Sequence, residues 1–427
     1  MAEALPLSVP VSFATTAINT RIAFLTELAR RLHQYGTTAP RLETAIGRSA
    51  QRLGLSADVW SSPTAIIVSF ADLGQGEDGV AQVTQVMRLP PGDVNLGRLC
   101  EADRIADEVI DGRMELREGF HLLRKLAAAD TFRDIVGLVA SYGLCAAAVV
   151  ALLLHSAWAD LVTAGLIGTI IGLITVASGS RPRLAAASEA ISALVATTIA
   201  IVVSAYVVPL AVKSVILGSL IVLMPGMALT TAVREISSQH LVSGVARMAG
   251  AIATLLKLAF GAVAANQLCE AFGIYPRDYA LPPLPAWADV PSLLIGAFSF
   301  AILFRAARRD WLVVMGAVIL GYLATTWGGR ISASLPAAPV GVFVGGLLLG
   351  ALSNVYARYA KQPGAVVREP GIILLVPGSV SFRSVSYLLD RDTSLGMDTG
   401  LLVVTLLVSL VAGLLFGDLL VAPRRSL

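Results

Sequence analysis

Leu223-Met224-Pro225-Gly226 and Leu375-Val376-Pro377-Gly378 are one four-residue pattern used twice, 152 positions apart. Each copy interrupts an apolar stretch. A proline inside a helix removes a backbone hydrogen bond, and the glycine after it relaxes the local geometry. The carbonyls and amides so freed need partners that lipid cannot supply, whereas a polar ligand or a water-filled cavity can. Hydroxyls and charges follow each copy: Thr230, Thr231, Arg234 and Glu235 after the first, Ser379, Ser381 and Arg383 after the second. Hydroxyls hydrogen-bond the polar groups of an amino acid, and Arg pairs with its carboxylate. The same Ser and Thr side chains also bond carbonyls of their own helix. The chemistry indicated is recognition of a small polar solute.

Other charges sit where charge is costly. Lys257 lies near the middle of an apolar run and shares a helical stripe with Arg247, Gly250, Thr254 and Gly261. A stripe of small and polar residues is expected to face protein or a cavity rather than lipid. Arg247 and Lys257 are therefore candidates to receive a substrate carboxylate, or to couple to protons. A structural ion pair or a snorkelling lysine is the plainer alternative. Glu189, Glu235 and Asp418 are candidate proton carriers, although an acid near a helix end is also simply solvated. Catalytic patterns are missing: there is no HExxH, GxSxG or P-loop motif. His33, His121, His155 and His240 are scattered, and Cys100, Cys145 and Cys269 have no metal-ligand spacing. Nothing calls for a metal or a cofactor.

The elements that must position these residues fall into two regions. Over 1–133 the spacing predicts an amphipathic helix at 21–35, ended by Gly36, and a second at 40–53, ended by Gly54. Short strand-like runs follow at 59–61, 65–69 and 80–88, then helices at 96–110 and 115–128. The order α-α-β-β-β-α-α reads as a small water-exposed α+β domain. From Asp134 onward ten apolar runs appear, at 134–154, 158–178, 188–208, 212–232, 244–267, 288–306, 309–327, 335–356, 368–387 and 398–421. Each approaches the twenty or so residues that a bilayer requires.

Composition agrees. Of 427 residues 56% are hydrophobic and 14% charged, and so much apolar surface needs lipid as its solvent. A net charge of +3 gives no case for nucleic acid. Met1 to Thr20 has neither a basic start nor a long apolar run, so no cleavable signal peptide is expected. With the N-terminal region inside, the inner segments carry fifteen Lys and Arg residues and the outer ones five: Lys213, Arg277, Arg330, Arg383 and Arg391. By the positive-inside rule both termini are expected in the cytoplasm.

The duplication extends beyond the Pro–Gly pairs. Gly244 falls on Gly396 and Gly261 on Gly413 at the same offset. The copies occupy the fourth and ninth runs, hence equivalent places in two halves, 134–267 and 288–421. Because five is odd, two such halves must lie in the membrane with opposite orientations, which is the inverted-repeat plan of many secondary transporters. The fold expected is a polytopic α-helical membrane protein, ten helices in two inverted five-helix repeats, preceded by a cytoplasmic α+β domain.

Taken together, these stretches resemble the bacterial threonine/serine exporter family. In the first region the resemblance runs through Phe24-Leu25-Thr26-Glu27-Leu28-Ala29, Ser61-Ser62-Pro63-Thr64-Ala65-Ile66-Ile67 and Asn95-Leu96-Gly97-Arg98-Leu99. In the membrane region it runs from Met224-Pro225-Gly226-Met227 through Arg234-Glu235, then Val242-Ser243-Gly244-Val245-Ala246-Arg247, and Val376-Pro377-Gly378-Ser379. Glu235 stands where the family pattern suggests Asp, with the acid retained. The resemblance implies export of L-threonine and L-serine across the bacterial inner membrane, driven by the proton gradient. Two-subunit members of the family are linked to dicarboxylate export, so succinate-like cargo is an alternative.

The expected reading is thus a proton-coupled amino-acid exporter in the lipid bilayer, with Pro225, Gly226, Thr230, Thr231, Arg247, Lys257, Pro377, Gly378, Ser379 and Ser381 around the substrate. A homo-oligomer is left open. The reading from another class is a membrane-anchored enzyme or sensor acting through residues 1–133, with Cys100 or His33 as its chemical group.

Overall fold

The computed structural model describes residues 17–73, 83–154, 156–179, 181–277, 282–331 and 337–423. His155, Arg424, Arg425 and the start of the run at 80–88 lie outside the described residues. The chain opens with α1 (Ile18–Gln34) and α2 (Ala39–Arg52). Three strands follow, β1 (Leu55–Ser62), β2 (Ala65–Asp72) and β3 (Val83–Arg88), then α3 (Leu96–Ile110) and α4 (Leu116–Lys125). The strands form an antiparallel sheet in the order β1-β2-β3, with Trp60 opposite Ile67 and Ile67 opposite Val86. Alternation decides which face is covered: Ile66, Val68 and Phe70 are buried while Val86 on the other face is exposed. Phe24, Leu25, Leu28 and Leu32 recur at helical spacing on α1 and are fully buried with them.

Long helices make up the rest. They are α5 (Phe132–Leu154), α6 (Trp158–Ser178), α7 (Pro182–Tyr206), α8 (Val212–Leu220), α9 (Gly226–Ser237) and α10 (Leu241–Ala271). After them come α11 (Asp289–Leu303), α12 (Trp311–Ile331), α13 (Ala337–Ala360), α14 (Ala365–Ile372), α15 (Gly378–Leu389) and α16 (Thr393–Leu420). Among the described residues eight helices are long and apolar enough to cross a membrane, or nine if one bent pair counts as a single span. The sequence shows ten apolar runs, and the difference has a local cause. The run at 212–232 is a broken element: α8 and a 3-10 turn at Ile221–Leu223 meet α9 at a bend of 53°. The run at 368–387 is interrupted at 373–377, and α14 brings Pro370, Arg368 and Glu369 into it. Neither piece is long enough by itself.

Helix pairing repeats between the two halves. α7 packs on α10 as α13 packs on α16, α9 on α10 as α15 on α16, and α6 on α8 as α12 on α14. Small residues set the closest approaches. Gly261 on α10 lies against the carbonyl of Ala190, and Gly413 on α16 against that of Phe343; a Cβ at either place would overlap the facing backbone. Gly165, Gly168 and Gly172 line the contact of α6 with α5; on α13, Gly341 and Gly345 face Thr325 of α12 and Gly346 faces Leu410 of α16. The sequence stripe on α10 divides: Gly261 is packed, whereas Gly250 has no neighbour where its Cβ would be.

The first region is joined to the helices by continuous packing. Ala297, Phe300, Ala301 and Phe304 of α11 and its end, Val314 and Val318 of α12, and Ala365 and Val366 of α14 share one apolar cluster with the buried residues of α1–α4. The contrast between glycines is testable. A Cβ at Gly417 would lie 2.5 Å from the carbonyl of Leu347 and 2.7 Å from the amide of Ala351. Gly417→Val is expected to cost about 1–3 kcal/mol through overpacking, whereas Gly250→Ala should be neutral or stabilising by up to about 1 kcal/mol. Thermal unfolding in detergent checks both.

Candidate functional site

The two Pro–Gly breaks adopt one conformation. Pro225 has φ −80° and ψ 38°, and Pro377 has φ −79° and ψ 41°. Each precedes a twelve-residue helix, α9 or α15. The Gly226 amide donates to the Met224 carbonyl at 2.8 Å, and the Gly378 amide to that of Val376 at 2.9 Å. The helices also end alike. His240 donates its amide to the Glu235 carbonyl and Asp392 to that of Tyr387, both at 2.9 Å, around Gln239 (φ 66°) and Arg391 (φ 64°). Side chains rarely take this left-handed conformation, so its recurrence at matching positions marks a duplicated corner.

The breaks meet each other. A Cβ on Gly226 would overlap Val376 and lie 3.1 Å from Gly378 Cα. α9 and α15 touch, and each crosses to the other half's last helix, α15 onto α10 and α9 onto α16. Thr230 Oγ1 donates to the Gly226 carbonyl at 3.1 Å and Ser381 Oγ to the Pro377 carbonyl at 2.7 Å. Both hydroxyls are buried and tie down the first turn of their helices. Thr231 and Ser379 are half-buried on the same helices.

The charged candidates separate into three groups. Glu235, wholly buried, accepts from Ser243 Oγ at 2.8 Å and from Arg247 Nε and Nη2 at 3.2 Å each. It also accepts from the Ala39 backbone amide at 3.1 Å, the first free donor of α2. Arg247 is thus engaged by a carboxylate of its own chain. Asp418 accepts from Arg368 Nη2 and from Asn354 Nδ2, both at 2.7 Å, and lies 3.8 Å from Arg234. Lys257 stands 3.5 Å from Glu189 in the α7–α10 packing, with side chains 41% and 23% exposed. Sequence reading flags these two separately without pairing them.

Several participants are not evident from sequence. Arg368, 1% exposed, also bonds Ser353 and Asn354, and its Nη1 has no partner among the described residues. An acid late in the last apolar run, Asp418, is the signal that a buried cation had to stand beside it. His240 meets Glu43 of α2 at 3.0 Å. The amides of Leu96 and Gly97, opening α3, donate to the carbonyls of Phe304 and Arg305 at 3.0 Å. Ser192 and Thr197 on α7 hold buried hydroxyls with no partner among the described residues.

The candidates for soluble-domain chemistry are poor ones. Burial, reinforced by Asp310 and Asp103, pushes the Cys100 thiol up to about 12, which keeps it from forming a thiolate. His33 is buried, its ring bonded to the Pro90 carbonyl at 3.1 Å, and burial lowers its basicity.

Removing one side of the buried Glu235–Arg247 pair should be worse than removing both. Arg247→Met alone is expected to cost about 3–5 kcal/mol by stranding a carboxylate. Adding Glu235→Gln should recover much of that loss. Thermal unfolding of the single and double variants in nanodiscs gives the comparison.

Two family models match, both described as threonine/serine exporter: the first over residues 23–269 and the second, "Threonine/Serine exporter, ThrE", over 290–420. Curated relatives are similar at lower levels. "Pheromone-regulated membrane protein 10" of Eremothecium gossypii is 27% identical over 85% of this chain and 49% of its own length. The protein of that name in Saccharomyces cerevisiae is 25% identical over 94% of this chain and 54% of its own. The chain therefore spans about half the length of the curated relatives it matches. These relatives are fungal, so they support a multi-pass membrane protein but not the expected bacterial inner membrane. No solved structure matches. With both models in chain order and the first alone covering more than half of the sequence, the chain belongs to the threonine/serine exporter family, a family of membrane transporters rather than enzymes.

Proposed function

We propose that the chain exports small polar amino acids, threonine and serine, from the cytoplasm by alternating access, driven by the proton gradient. The observation that carries this reading is the meeting of Pro225-Gly226 with Pro377-Gly378 in one conformation. Ten spans in two inverted halves, 134–267 and 288–421, follow if each broken element crosses the bilayer once. The repeated helix pairing supports that plan, and so do the matching corners at Gln239 and Arg391. A pair of equivalent broken helices touching at their breaks can rock about that contact and open either side in turn. The arginines clustered beside the 1–133 domain support a cytoplasmic placement of that domain. Its membrane would be the cytoplasmic membrane.

In this account Thr230, Thr231, Ser379 and Ser381 offer hydroxyls on the helices that leave the breaks. Glu235, Asp418 and the Lys257–Glu189 pair are the groups whose protonation would couple to transport. A proton on Glu235 weakens its hold on Arg247 and on α2, and frees the guanidinium for a substrate carboxylate.

Efflux from proteoliposomes loaded with labelled threonine, serine or succinate tests the reading, with and without an imposed proton gradient. Gradient-dependent threonine or serine flux is expected, at least about tenfold lower in Gly226→Val, where the two breaks can no longer touch. Succinate flux alone would replace the amino-acid cargo with dicarboxylates. No flux of any of the three would overturn the reading.

A further inference from the structure

One contact across the seam between the first region and the helices is built around a titratable ring. His240 stands at the corner where α9 gives way to α10, its amide bonded to the Glu235 carbonyl at 2.9 Å. The ring lies between acceptors. Nε2 is 3.0 Å from Glu43 Oε2 on α2, and Nδ1 is 2.8 Å from the Ser238 carbonyl. Ser238 Oγ, 3.2 Å from Nδ1, donates its hydrogen to the Glu235 carbonyl at 3.1 Å, so toward the ring it too can only accept. A neutral imidazole has one N–H and one lone pair, and either tautomer would turn that lone pair toward an acceptor. The imidazolium, with two N–H groups, satisfies both sides.

Glu43 is fixed from behind, since its Oε1 accepts from the Ser61 amide of β1 at 2.9 Å. The pair is partly shielded, with side chains 27% and 22% exposed. Glu235 of α9 and Arg247 of α10 stand alongside as an ion pair of their own, each balanced by the other. On α1, His33 faces the Pro90 carbonyl, and burial, with Arg247 adding to it, lowers its basicity.

We propose that His240 and Glu43 form a proton-operated latch: acid in the compartment around residues 1–133 closes it, pinning α2 to the α9–α10 corner, and rising pH opens it. Each closure takes up one proton onto the imidazole–carboxylate pair. A histidine in water gives up its proton near neutrality, so the latch works over about pH 6–8. Ala39, at the start of the same helix, donates its amide to Glu235, so closure steadies that contact as well. The bearing on export rests on the transport reading: a proton-driven exporter that acidifies its own compartment would tighten its latch. The latch itself is read from docking, without flux, so the two stand or fall apart.

The test is amide hydrogen–deuterium exchange on the full chain in nanodiscs. Protection of peptides covering α2 is compared at about pH 6 and about pH 8, after correction for the chemical exchange rate. Protection is expected to be about two- to fivefold higher at the acid end. His240→Gln keeps a donor toward Glu43 but no titratable ring, and Glu43→Gln keeps the shape without the charge; each should flatten the profile. Charging of buried His33 would act in the opposite direction, loosening the region toward acid, so the sign of the slope separates the two histidines. Should His240→Gln fail to fold by gel filtration, Glu43→Gln decides. Protection that falls toward acid, that is the same at both pH values, or that rises equally in either variant would overturn the proposal.

Discussion

A backbone that leaves its helix inside an apolar slab must find other polar groups, and in this chain it does so beside a second backbone that does the same. The approach of Gly226 to Gly378 is close enough to exclude a Cβ. That contact fixes where α9 and α15 begin, and these helices in turn reach across to α16 and α10. The glycines at 261 and 413 hold α10 and α16 tightly against α7 and α13, so the broken elements sit between two firmly packed pairs. Both the flanking pairs and the meeting breaks are thus closely packed.

The second organising feature is electrostatic and lies at the seam. Helices α2 and α3 of the first region start with unsatisfied amides, as every helix does. Here the acceptors come from the other side of the seam: the Glu235 carboxylate for α2 and the carbonyls of Phe304 and Arg305 for α3. A negative group at a helix N-terminus is favoured by the helix dipole as well as by the hydrogen bond. Arg305 also bonds Asp130, which Arg98 of α3 shares. Docking of this region is thereby tied to Glu235, the same carboxylate that occupies Arg247. Any event that changes Glu235 changes both the grip on α2 and the freedom of Arg247.

Much of this was readable from residues alone, for reasons of period and composition. The seven elements of the first 125 residues follow from amphipathic spacing and from stops at Gly36, Gly54 and Pro90-Pro91-Gly92. The Pro–Gly pairs announce the breaks because proline and glycine act locally. Other features depend on which surfaces meet. Nothing local tells that Arg247 is claimed by Glu235, or that Glu189 stands by Lys257. Lys257 illustrates the limit: its stripe contains one glycine that packs, Gly261, and one that faces open space, Gly250. Span counting met a related limit, since hydropathy sees the run at 368–387 but not its division into two short helices.

The inverted arrangement of the two halves is the claim on which the transport account rests, and the corners at Gln239 and Arg391 offer a direct measurement. Both side chains are exposed, while Cys100, Cys145 and Cys269 are buried. Gln239→Cys and Arg391→Cys, each treated in intact cells with a membrane-impermeant thiol reagent, should differ. The account predicts labelling of Arg391→Cys from outside, and of Gln239→Cys only after permeabilisation. Labelling of both from the same side would contradict it.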